Sequence, residues 1–216
     1  MPPSPQVSGP PAEVRIIGGQ WKRSKLAVVD LPGLRPTPDR VRVTLFNWLG
    51  QDLSGWRCLD AFAGSGALGF EAASRGAAEV LLLERNAGQV KRLREAAERL
   101  HATTLRIEQI DALSFMARAE SARFELVFLD PPFDSGLDDA ALQAAIRLVV
   151  PDGFIYLESD RAIDAAGVQA LGLRLHRQGH AGRVCFQLLH KLSPGSAGAA
   201  ADPSFRSSEA EHSGIG

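Results

Sequence analysis

The chain has 216 residues, 24 Lys and Arg against 25 Asp and Glu, with 45% hydrophobic and 23% charged residues. That is about one globular domain of chain, long enough to bury a core, and it excludes a collagen-like, coiled-coil or wholly disordered protein. A formal net charge of −1 excludes nucleic-acid binding driven by overall charge and leaves room only for a local basic patch.

Residues 1–13 carry Pro2, Pro3, Pro5, Pro10 and Pro11 and have neither a basic start nor an apolar stretch, so they read as a disordered tail and not as a signal peptide. Residues 14–50 form a basic segment of their own. Arg15-Ile16-Ile17-Gly18-Gly19-Gln20-Trp21-Lys22-Arg23-Ser24-Lys25-Leu26 reads as two short strands around a Gly turn, followed by Leu34-Arg35-Pro36-Thr37-Pro38-Asp39-Arg40 and a helix over 41–49. Arg15, Lys22, Arg23, Lys25, Arg35, Arg40 and Arg42 outnumber the acidic residues there. Residues 51–192 alternate short apolar runs with helical patterns. Strands are expected at 57–60, 80–84, 105–110, 126–130 and 154–158, several of them apolar almost throughout, as strands covered on both faces must be. Helices are expected at 67–74 (ended by Gly76), along the face marked by Val90, Leu93, Ala97 and Leu100, over 112–119, and over 137–148 with Pro151 as the stop. A closing hairpin over 173–178 and 184–189 turns through Gly179-His180-Ala181-Gly182. The pattern predicts an α/β fold: a mostly parallel sheet with helices on both faces, closed by a C-terminal hairpin and preceded by a small basic β-hairpin. Residues 193–216, rich in Ala, Gly and Ser, read as a second disordered tail. No apolar run approaches the ~20 residues of a membrane span, so the expectation is a soluble cytoplasmic protein.

Four strand ends carry chemistry. In Asp60-Ala61-Phe62-Ala63-Gly64-Ser65-Gly66-Ala67-Leu68-Gly69 an apolar strand ends in a carboxylate and passes through a Gly-rich turn into a helix. Such a turn brings ligand close to the backbone and to helix N-terminal amides. The glycine spacing also fits a dinucleotide site, so it does not by itself choose between nicotinamide and another nucleoside cofactor. Asp60 repels a pyrophosphate and suits a cationic, amino-bearing ligand. Glu84, followed by Arg85, is placed to accept from a ribose diol, and Asp111 with Ala112 to meet an adenine, although Asp111 equally reads as the cap of the helix it precedes. In Phe128-Leu129-Asp130-Pro131-Pro132-Phe133 two prolines remove amide donors and leave rigid carbonyls. Asp130 and the Pro131 carbonyl can then both accept from one planar exocyclic amine, with Phe133 stacked on its ring.

Together with the lead-in motifs Arg15-Ile16-Ile17-Gly18-Gly19, Leu34-Arg35-Pro36-Thr37, Asp39-Arg40-Val41-Arg42 and Leu45-Phe46-Asn47-Trp48-Leu49, these motifs resemble the bacterial RsmD family over about residues 14–192. One departure is Val43, where the family usually has an acidic or polar residue. The resemblance implies a Rossmann-like methyltransferase fold, S-adenosylmethionine as cofactor, and methylation of N2 of one guanine in 16S ribosomal RNA, with a small-subunit particle as partner. It implies Asp60, Phe62, Ala63, Gly64, Ser65, Gly66, Glu84, Arg85, Asp111 and Ala112 around the cofactor. Asp130, Pro131, Pro132 and Phe133 then surround the base, and Arg15, Lys22, Arg23, Lys25, Arg35, Arg40 and Arg42 the RNA.

Other readings stay open on the residues alone. An Asp-Pro-Pro-aromatic loop also serves adenine N6, cytosine N4 and protein glutamine amides. A nicotinamide oxidoreductase shares the glycine spacing, and a non-catalytic RNA-binding module would explain the basic segment. The five histidines show no metal-ligand spacing, and Cys58 and Cys185 read as core thiols, so neither a metal nor a disulfide framework is expected. A monomer is expected. Trp21 could stack on RNA, Trp48 and Trp56 read as packing residues, and Phe46 fits either core or cofactor contact.

Overall fold

The computed structural model describes residues 13–27, 37–132 and 135–193. Phe133 and Arg35 lie outside them, as do the expected tails except for Ser193 and for Glu13, which is corrected to a strand residue. The first unit is a two-stranded antiparallel ribbon, β1 (Glu13–Arg15) with β2 (Lys25–Ala27). It is followed by α1 (Asp39–Trp48), β3 (Arg57–Asp60), α2 (Ala67–Ser74), β4 (Glu79–Glu84), α3 (Ala87–Arg99), β5 (Leu105–Gln109), α4 (Ala112–Arg118) and β6 (Phe124–Leu129). The chain closes with α5 (Asp138–Leu148), β7 (Val149–Ser159), α6 (Ala165–Ala170), β8 (Leu173–Ala181) and β9 (Val184–Lys191).

Seven strands form one sheet in the order β5-β4-β3-β6-β7-β9-β8, parallel from β5 to β7 and antiparallel through the closing hairpin. Period-two alternation sorts the strand residues onto two faces. Cys58, Val80, Leu82, Leu126, Phe128 and Tyr156 pack with side chains of α1, α2 and α3. Leu59, Leu81, Leu83, Val127, Leu129, Ile155 and Leu157 pack with α4, α5 and α6. Because both faces are covered, these strands are apolar almost throughout. From β3 the chain winds outward through β4 to β5 and then returns to β6 on the other side of β3. This reversal opens a crevice beyond the carboxyl ends of β3 and β6, the place where open α/β sheets bind ligands.

Several expected boundaries are corrected. Pro151 does not stop a helix: α5 ends at Leu148 and Pro151 lies inside β7, where the β6–β7 register shifts between Phe124 and Leu126. The closing turn is not 179–182. Gly179 is a strand residue paired with Phe186, and a Cβ there would stand 2.4 Å from Phe186 Cζ, so the glycine makes room for the ring. The chain reverses between Ala181 and Val184, at Gly182 with φ +62°. The short helix α6, capped by Asp164 accepting from Gly167 N–H, has no counterpart in the sequence reading.

Candidate active site

The glycine turn and the Asp130 loop stand side by side. Asp60, the last residue of β3, is in register with Phe128 of β6, and Ala61 N–H donates to the Phe128 carbonyl at 3.1 Å. Asp130 follows two residues after Phe128, just past the carboxyl end of β6. Asp60 is buried, and its Oδ2 accepts Gly69 N–H at 2.9 Å, which ties the strand end to the first turn of α2. Burial is the main cause that lifts the Asp60 carboxyl to about 7, against the lowering effect of the Gly69 bond. Gly66 caps α2 with φ +78°, and a Cβ there would meet Leu93 at 2.6 Å and Phe70 at 2.9 Å. The turn therefore needs glycine for both conformation and space.

Glu84, at the tip of β4, accepts Gly64 N–H on Oε2 at 3.0 Å and Asn86 N–H on Oε1 at 2.7 Å. Its carboxylate bridges two strand ends, and each oxygen keeps a second lone pair for a ligand hydroxyl. Phe62 is half-buried, Ala63 and Ser65 are buried, and Arg85 is exposed beside them. Asp111 caps α4, its Oδ1 accepting Ser114 N–H at 2.8 Å, and those bonds hold its carboxyl below the usual range. Ala112 is buried behind it. Pro131 is buried and Pro132 exposed, and the Pro132 carbonyl accepts Ser135 N–H at 3.2 Å.

The structure adds a residue that sequence reading missed. Glu158, near the end of β7, is buried and accepts from Tyr156 Oη at 2.8 Å and from Thr37 Oγ1 at 2.9 Å. The same Thr37 hydroxyl lies 3.3 Å from Asp130 Oδ2. Burial, then the nearby Glu158 charge, push Asp130 well above the ordinary carboxylate range, and burial raises Glu158 as well. The signal was available: Glu158 ends an apolar strand as Asp60, Glu84 and Asp130 do.

Of the residues expected to face RNA, Arg15, Lys22, Arg23 and Arg40 are exposed, while Lys25 is exposed but paired with Glu13 at 2.6 Å. Arg42 is corrected. Its guanidinium is fully buried: Nη2 binds Asp39 at 2.5 Å, Nη1 stands 3.6 Å from Glu71 Oε2, and Nε donates to the Thr37 carbonyl at 3.3 Å. It fastens the segment that carries Thr37 and does not face solvent. Phe46 belongs to the core. Trp21 packs half-buried on Phe70, Trp48 stacks on Phe186 and Trp56 on Phe154. Cys58 and Cys185 are buried free thiols. No group of three or more His, Cys, Asp or Glu residues with metal-holding geometry occurs among the described residues, and no described helix is long and apolar enough to cross a membrane.

The family model described as "Conserved hypothetical protein 95", that of the RsmD family, matches residues 14–190. The chain belongs to the RsmD family. It is 42% identical over 193 residues, 87% of this chain and 94% of the relative, to the protein of Escherichia coli strain K12 named ribosomal RNA small subunit methyltransferase D. A solved E. coli methyltransferase structure superposes with TM-score 0.73 at 38% identity, covering 85% of this chain and all of the other. A Burkholderia thailandensis N1-methyltransferase solved with S-adenosylhomocysteine shares the fold at TM-score 0.56 and 14% identity, over 72% of this chain and 78% of that one. The methyltransferase fold of the RsmD family thus places the glycine turn and the Asp-Pro-Pro loop at adjoining strand tips.

Proposed function

We propose that this RsmD-family chain transfers a methyl group from S-adenosylmethionine to the exocyclic N2 of a guanine in small-subunit ribosomal RNA. The observation that carries the reading is the juxtaposition of the turn that follows β3 with Asp130, the residue that follows β6, across a parallel pair in which Asp60 is in register with Phe128. The pocket's donor set fits this cofactor. Asp60, Glu84, Asp130 and Glu158 gather at the strand tips, which suits a ligand carrying sulfonium and ammonium charge and disfavours a pyrophosphate. The backbone of residues 62–66 and the Glu84 carboxylate would hold the nucleoside and its ribose, with Asp111 and Ala112 beside the base. When bound, S-adenosylmethionine supplies an electrophilic methyl on a good leaving group.

The chain's own residues then have a positioning task, which can account for most of the acceleration in such a transfer. Asp130 and the Pro131 carbonyl accept the two N–H bonds of the amine, which localises its lone pair, and Asp130 takes the proton released after transfer. Phe133 supplies the stacking face for the base. A guanine in structured RNA must leave its stack to reach this crevice. The exposed Arg15, Lys22, Arg23 and Arg40, on the ribbon, its connecting turn and the start of α1, form the backbone clamp that would hold it there.

The test is Asp130→Ala. Methyl transfer to small-subunit particles should disappear while S-adenosylmethionine affinity stays within a few-fold, and retained turnover contradicts the assignment. Reversing Lys22, Arg23 and Lys25 to Glu should weaken RNA binding at low salt and spare cofactor binding. Unchanged RNA affinity removes the ribbon from the clamp.

A further inference from the structure

The Thr37 hydroxyl stands between the buried Glu158 carboxylate and the half-buried Asp130 carboxylate with one hydrogen to give. It is 2.9 Å from Glu158 Oε1 and 3.3 Å from Asp130 Oδ2, while Tyr156 Oη occupies the same Glu158 oxygen at 2.8 Å. Thr37 and Glu158 are 6% and 4% exposed and Tyr156 is fully buried, so water does not complete the set around Glu158, while Asp130 is half-buried at the crevice side. With both carboxylates ionised, one of them lacks a share of the Thr37 hydrogen. One added proton satisfies every contact. Glu158 then donates to Thr37 Oγ1, and Thr37 donates to Asp130; the mirror arrangement puts the proton on Asp130 with both bonds reversed.

We infer that Asp130 and Glu158 hold one proton between them through the Thr37 hydroxyl, and that Glu158 is the positioning residue that takes it, so that Asp130 meets the substrate amine as an anion. An incoming amine brings only donors to Asp130, which selects the arrangement with the proton on Glu158. After transfer the amine nitrogen carries the new C–N bond, the C–S pair has returned to sulfur, and one N–H proton passes to Asp130. The pair then holds two protons and must release one to solvent before the next turnover. The charged groups acting on Asp130 are Glu158 on β7, Asp60 on β3 and Asp138 on α5, all acidic. Glu158 is faced by Tyr156 and Thr37, and Tyr156 in turn by Cys185 of β9. These acidic neighbours, together with burial, favour retaining the proton at neutral pH.

The inference rests on the proposed amine methyl transfer, and two readouts separate them. Carboxyl-carbon NMR of the full chain without ligand reads the pair independently of activity. Asp130 and Glu158 should titrate together in two steps, each signal sensing both, and Glu158→Gln should leave Asp130 a single step at lower pH. Two independent single-step titrations overturn the inference even in an active enzyme. In the transfer assay, Glu158→Gln removes a like charge and fixes the Thr37 hydrogen on Asp130, so the acid limb of kcat/KM should move to lower pH by about one unit or more. Thr37→Val removes the donor and should move the limb to higher pH, and Thr37→Ser should restore the wild-type profile. A limb unmoved in Glu158→Gln, shifts of the same sign in both variants, or loss of turnover at every pH in a Glu158→Gln protein that still binds S-adenosylmethionine contradicts the inference. An inactive wild type with a two-step coupled titration overturns the proposed function and leaves the shared proton standing.

Discussion

Glu71 offers the sharpest stability experiment, because it is a fully buried carboxylate and the one charged residue of helix α2. Its oxygens accept Ile17 N–H at 2.8 Å and Arg75 Nε at 2.9 Å, pair with Arg75 Nη2 at 2.8 Å, and stand 3.6 Å from Arg42 Nη1. One side chain thus joins the N-terminal ribbon, α1 and α2. Glu71→Ala leaves the buried Arg42 with the exposed Asp39 as its remaining acid, and breaking a buried pair from one side costs about 3–5 kcal/mol. The orphaned Ile17 amide adds about 1–3 kcal/mol if it stays dry. Release of the ribbon into water relieves that second penalty, so the expected loss is about 3–5 kcal/mol, with the ribbon freed. Urea unfolding followed by tryptophan fluorescence measures the loss, and hydrogen exchange at Ile17 and at Arg23, whose amide donates to the Ile16 carbonyl at 2.8 Å, reports the ribbon. A loss below about 1 kcal/mol with unchanged amide protection would refute the hub.

Arg42→Met keeps volume but loses the bonds to Asp39, Glu71 and Thr37, and should destabilise by about 1–3 kcal/mol without changing the RNA affinity of the folded protein. Its neighbour Arg40→Ala, at an exposed site, should stay within about 0.5 kcal/mol of wild-type stability and weaken RNA binding; urea curves and low-salt filter binding check both. The Asp60 carboxyl is raised to about 7 in the folded chain from an ordinary 3.8. Its folded pKa therefore lies above the unfolded one, so ionisation opposes folding progressively from about pH 4 to pH 7 and fully above that. Asp60→Asn, which keeps an acceptor for Gly69, should gain about 2–3 kcal/mol more over wild type at pH 8 than at pH 5. Paired unfolding curves at the two pH values test this, and an equal difference at both contradicts it.

Where the local pattern and the packing agree, the elements were legible. Strand β3 and helix α2 fall at the expected residues because an apolar run, a carboxylate and a glycine turn follow one another with nothing competing. Pro151 and Gly179 misled because each usually breaks structure. Here Pro151 enters a strand at a register shift and Gly179 makes way for the Phe186 ring. Arg42 misled because its charge was counted before its place on the helix. It shares the 42, 45, 46, 49 stripe with Leu45, Phe46 and Leu49, which is the buried face of α1. Glu71 and Glu158 went unassigned because the partners that give them a role, Ile17 and Thr37, lie 54 and 121 residues away in the sequence.

The account turns on a methyl donor and a flat amine meeting between β3 and β6. The most direct measurement uses small-subunit particles from cells lacking this protein, incubated with the chain and methyl-labelled S-adenosylmethionine, then digested to nucleosides. The account predicts label in N2-methylguanosine, at one nucleotide of the RNA. Label in a different nucleoside, in protein, or nowhere would contradict it.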